Sequence, residues 1–214
     1  YDIPKNALQV TFDSSGSELG MFYPTNPPRI NINLENVKDT TDLCMTMVHE
    51  ISHFKDNKSG IKSRTSYGSR TEINSCGLDE NSEEFKLMNK LQKLCYYLDE
   101  DEKRARLSEI EALDIMEEVS KSDSSLVYEV DLNRKRHNAY LSKTNNLERD
   151  IVSGKIDLGL LSDEINASNV SDDVKAIMEK KLSFLKQRRM EINKQREENA
   201  KSSESLEDQK QPGE

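Results

Sequence analysis

The sequence predicts an α+β fold: a small antiparallel meander, then helices that carry a cluster of reactive side chains, then an α-helical hairpin or extended helical region. Three observations predict it. Apolar and polar residues alternate in short runs up to Leu34. The pentapeptide His49-Glu50-Ile51-Ser52-His53 follows within a broad apolar stripe. From Ser82 to Ala200 apolar residues recur at helical spacing.

Residues 7–12 (Ala7-Leu8-Gln9-Val10-Thr11-Phe12) alternate as a half-buried strand does. Asp13 to Ser17 is turn chemistry. Leu19 to Tyr23 gives a second strand, closed by Pro24 and Asn26-Pro27-Pro28. In residues 29–34, Ile30, Ile32 and Leu34 face one side while Arg29, Asn31 and Asn33 face the other. This third strand is either an ordinary sheet strand or the edge of a cleft, where an extended peptide could pair with it by strand addition.

Asp39-Thr40-Thr41-Asp42 offers side-chain oxygens to the free N–H groups of a helix start. Leu43, Cys44, Met47, Val48, Ile51 and Phe54 then predict the buried stripe, and Gly60 suits a left-handed stop. Residues 57–82 read as a long polar loop, a lid or plain surface. Phe85, Leu87, Met88, Leu91, Leu94, Cys95 and Leu98 mark a further helix, and Ala105, Ile110, Leu113 and Met116 another. The acidic run 99–102 breaks or bends the chain between them. Arms over about 125–152 and 171–200 make the hairpin, joined by a connector containing Gly154, Leu158, Gly159, Leu160, Leu161 and Ile165. The polar low-complexity end, 201–214, is expected to be disordered. The chain therefore divides into 1–118, 119–200 and 201–214.

Charged residues make up 33% of the chain and hydrophobic ones 34%, too polar for one compact globule of 214 residues. The net charge of −9 argues against a nucleic-acid backbone or an anionic membrane as main partner. Cys44, Cys76 and Cys95 are odd in number and form no C-x-x-C pair, which points to reduced thiols in a cytoplasmic compartment. No apolar run approaches the length of a membrane span.

Two histidines four apart on a helix share a face, with Cβ atoms about 5–6 Å apart. Both imidazoles can then reach one ion. Glu50 projects from the same turn and can deprotonate a water held by the metal without binding the metal itself. Thr46, Met47, Ile51, Ser52 and Phe54 fit the longer pattern around such a site, while Lys55 stands where a hydrophobe is usual. A third ligand is needed. The candidates are Asp99, Glu100, Asp101, Glu102 and His137. His137 otherwise reads as a half-buried residue of the hairpin.

Within 7–118 the chain resembles small gluzincin-type zinc metallopeptidases, whose His-Glu-x-x-His helix is followed by Glu-x-x-Ala on a further helix. Glu102 with Ala105 matches that second motif. Tyr96-Tyr97 before it and Arg104 and Arg106 after it resemble bacteriophage and mobile-element variants, for which a host cytoplasm or a virion would be the setting. The resemblance implies a zincin-like fold. It implies Zn²⁺ held by His49, His53 and Glu102, Glu50 as general base, and a protein or peptide substrate. Tyr67, Tyr96 and Tyr97 are candidate oxyanion donors. The alternative is a structural or assembly protein, for example of a phage particle. There the C-terminal helices would do the work by self-association or within a larger assembly.

Overall fold

In a computed structural model of the chain, the residues described are 3, 6–14, 18–60 and 76–208. The fold is α+β. Three strands, β1 (Gln9–Asp13), β2 (Gly20–Tyr23) and β3 (Arg29–Asn33), precede the helices. These are α1 (Thr40–Lys58), α2 (Glu83–Leu98), α3 (Glu100–Ser120), α4 (Val127–Ser153), α5 (Leu158–Ala167) and α6 (Asp172–Asp208), with a 3-10 turn at Ser124–Leu126. Most of the long loop expected at 57–82, including Tyr67, lies outside the described residues, as do 209–214.

The chain forms two compact units, Tyr1–Arg64 with Glu100–Lys143, and Thr65–Asp99 with Thr144–Glu214. Neither follows a boundary at residue 118. The helix predicted from Phe85 to Leu98 belongs with the C-terminal helices, and residues 119–143 belong with the motif helix. An apolar stripe states that a helix must be covered; it does not say by which partner.

In the first unit the sheet order is β1-β3-β2, with β1 parallel and β2 antiparallel to β3. The sheet is thus mixed and not an antiparallel meander. Ile30 and Ile32 are fully buried, so β3 takes the central place that its apolar face requires. Asn31 bridges to β1, accepting from Thr11 Oγ1 at 2.8 Å and donating to Asp13 Oδ2 at 2.7 Å. Leu34 lies beyond the strand and is exposed. All of β1 is exposed rather than half-buried, because α1 packs on β2 and β3. Being central, β3 has no open edge for a peptide; among the described residues β2 pairs on one side only.

Helix α1 starts where its cap predicts: Asp39 accepts from the Asp42 N–H at 2.7 Å. Asn133 of α4 donates to the same carboxylate at 3.0 and 3.2 Å. The helix stops before Gly60, whose φ is +72°. Its buried face, however, is Thr41, Met45, Thr46, His49, Glu50 and Phe54. Leu43, Cys44, Met47, Val48 and Ile51 are only half-buried. The face turned inward is therefore the one that carries the motif. Helix α3 packs on α1 through Ala112, Leu113 and Met45. Arg104 ties its first turn to the end of α1 through Asp56, at 3.0 and 3.1 Å.

The break between α2 and α3 falls at Asp99, whose extended backbone ends α2. Glu100, Asp101 and Glu102 then fill the first turn of α3, where the helix dipole favours negative charge.

The second unit has its own core. Met88, Leu91, Cys95 and Leu98 of α2 meet Ile151 of α4, Leu161 and Ile165 of α5, and Met178, Leu182 and Leu185 of α6. The expected connector is largely a helix, α5, capped by Asp157. Of the predicted hairpin, the second arm and the end of the first from Thr144 are thus part of a larger helical unit, while the rest of the first arm belongs to the first unit. Helix α6 continues to Asp208. Among the described residues no helix is long and apolar enough to cross a membrane.

Candidate metal centre

His49 and His53 stand one turn apart on α1, with ring centroids 4.9 Å apart and planes at 79°. Their Nε2 atoms face each other at 3.2 Å. Glu102 comes in from α3: Oε2 lies 3.5 Å from His49 Nε2, and Oε1 lies 3.7 Å from His53 Nε2. One donor atom from each residue falls within 4.8 Å of the others. Tetrahedral ligands at zinc-like bond lengths of about 2.0–2.1 Å would stand about 3.3 Å apart. Two imidazole nitrogens and a carboxylate oxygen at this spacing fit a divalent cation with three protein ligands. Two bare nitrogen lone pairs 3.2 Å apart also repel unless a proton or a cation lies between them.

Ala105 is fully buried one turn beyond Glu102, where a side chain larger than methyl would keep α3 from α1. Two turns along the same face, Glu109 is 1% exposed. Its Oε1 accepts from His49 Nδ1 at 3.0 Å and from Arg106 Nη1 at 2.7 Å, and its Oε2 accepts from His137 Nδ1 at 3.1 Å. Arg106 also lies over the Tyr140 ring, at 4.9 Å.

The charges follow from this packing. Burial opposes protonation of His49, but Glu102 and Glu109 outweigh it and push the imidazole up to about 9. Burial and the neighbouring His49 hold His53 below its ordinary value. Burial works to raise Glu109, but the His137 and His49 hydrogen bonds and Arg106 bring it down to about 2. Glu102 is likewise lowered: burial resists, and the two histidines prevail.

Glu50 is 6% exposed and accepts from the Phe22 N–H on the outer side of β2. Burial, opposed by His49 and reinforced by Glu102, raises its carboxyl to about 7. Gly20 permits this closeness. A Cβ there would stand 2.7 Å from Thr46 Cγ2 and 3.0 Å from Glu50 Cγ. Gly20→Ala is therefore expected to lower stability by about 1–3 kcal/mol, read as the midpoint of denaturant unfolding; an unchanged midpoint would contradict the contact.

Of the candidate third ligands, the structure brings Glu102 to the histidine pair. Asp101 instead pairs with Arg104. His137 reaches Glu109 rather than the donor group, and it is almost fully buried rather than half-buried. Tyr96 and Tyr97 belong to the second unit and pack edge-on against each other, with centroids 5.6 Å apart. Sequence reasoning missed Glu109. The signal was its place seven residues after Glu102, on the face that Ala105 and Ala112 keep narrow.

No family model matches this chain, and comparison with curated proteins and with solved structures finds no match either.

Proposed function

We propose that the chain is a zinc-dependent metallopeptidase, with His49, His53 and Glu102 holding the metal and Glu50 acting as general base. The observation that carries this is the convergence of three ligand atoms within 4.8 Å, beside a buried carboxylate from the same helix turn as the histidines. A bound zinc polarises a peptide carbonyl and lowers the pKa of a coordinated water. Glu50 would take a proton from the attacking water and return it to the leaving amine. The Phe22 N–H orients the Glu50 carboxylate.

Metal content of the purified chain tests the reading. We expect about one zinc per chain, lost in His49→Ala and in Glu102→Ala. No zinc after purification, and none taken up on titration, would defeat it. Stoichiometric zinc without hydrolysis of any unfolded protein or peptide would favour the assembly reading, with the metal a structural element.

A further inference from the structure

The zinc reading leaves His137 without a task, yet its surroundings are specific. The side chain is 4% exposed on α4, far along the chain from the motif. Its Nδ1 lies 3.1 Å from Glu109 Oε2, and its Nε2 is buried with no hydrogen-bond partner among the described residues. A buried histidine that serves one neighbour and leaves its other nitrogen unmatched carries a cost that packing alone does not explain.

The geometry points to His137 as a positioning residue for the metal centre, acting on His49 through Glu109. The inference rests on the zinc reading. A ligating imidazole must present a bare nitrogen to the metal, so its proton must stay on the other one. At His49 the metal-facing atom is Nε2, and Glu109 Oε1 accepts at Nδ1. That arrangement fixes both the tautomer and the ring plane. Glu109 can do this only if its own plane is fixed. Arg106 shares Oε1 with His49, and His137 holds Oε2. Without the His137 donor, Oε2 loses that buried hydrogen bond and the carboxylate is held at Oε1 alone, so its plane is less firmly set. The consequence reaches the organisation of the protein. Residues of α4, placed by sequence in a separate helical appendage, complete the metal centre of the first unit.

The test is zinc affinity of the full chain, by competition with a chromophoric chelator, alongside thermal unfolding of the metal-free protein. His137→Phe fills the space without a donor; His137→Asn keeps an N–H close to where Nδ1 stands. We expect His137→Phe to bind zinc about 10–100-fold more weakly, and His137→Asn to recover most of the loss. Recovery by the donor separates positioning from space-filling, which Phe satisfies better than Asn. Wild-type affinity in His137→Phe would overturn the inference and leave the zinc reading standing, as would equal losses in both variants. Zinc binding by no protein, wild type included, would overturn the zinc reading and this inference with it. Where His137→Phe unfolds at the assay temperature, His137→Asn decides alone: affinity near wild type supports the inference, and a 10-fold or greater loss overturns it.

Discussion

Glu50→Gln is expected to abolish measurable peptide hydrolysis, a loss of about 10²–10⁴-fold, while zinc content stays at the wild-type level. The two outcomes belong together because Glu50 is not among the three donors that converge. Glutamine keeps the size of the side chain and an oxygen that can accept from the Phe22 N–H, so β2 and α1 keep their approach. What it lacks is basicity: an amide cannot take a proton from water near neutrality. The readout is cleavage of an unfolded protein substrate alongside metal content of the same preparation. Zinc retained with activity lost places proton transfer on Glu50. Activity retained would remove Glu50 from the chemistry, whatever the metal content. Loss of both would make Glu50 structural, a buried group needed to hold α1 against β2.

The parts of this site that were legible in the sequence are those whose geometry is local. His49, Glu50 and His53 lie within one helix turn, and helical periodicity alone sets their spacing. Glu102 was legible only through a short motif at the start of another helix, which Ala105 marks as a place of close approach. Glu109 and His137 were not legible in their roles. Their contacts join residues 60 and 28 positions apart, and no local pattern encodes such a pairing. The sheet shows the same divide. The alternation in β3 placed Ile30 and Ile32 on one face, and both are buried. The parallel pairing of β1 with β3 depends on how the intervening chain returns, which alternation does not record. The stripe on α1 misled for a chemical reason. Apolar spacing predicts the inner face, whereas polar partners reaching in from α3 and β2 — Glu102 and Glu109 at His49, the Phe22 N–H at Glu50 — turn those two residues inward and leave Val48 and Ile51 half-buried.

The same limit hid the grouping of α2 with the C-terminal helices, and a single arginine gives that grouping its largest expected effect. Arg188 of α6 is 4% exposed. Its Nε donates to the Leu98 carbonyl at 2.8 Å, one of the last carbonyls of α2, which have no partner within their own helix. The guanidinium also lies 3.5 Å from Glu148 of α4 and 3.3 Å from Glu191 of α6. One planar group thus caps α2 while it lies beside carboxylates of α4 and of its own helix, a task that its fork of donors suits. Arg188→Met keeps the length and the apolar stem but removes the positive charge beside Glu148 and the donor to the Leu98 carbonyl. The expected cost is about 3–5 kcal/mol, the usual range for removing one partner from a buried ion pair, read as unfolding in urea. Arg188→Lys should recover only part of this, since an ammonium cannot match the same fork. Adding Glu148→Gln to Arg188→Met should restore some stability, because a half-buried negative charge that has lost its arginine is then gone. A loss below about 1 kcal/mol in Arg188→Met, the range of an exposed pair, would show that α2 docks through its apolar stripe alone.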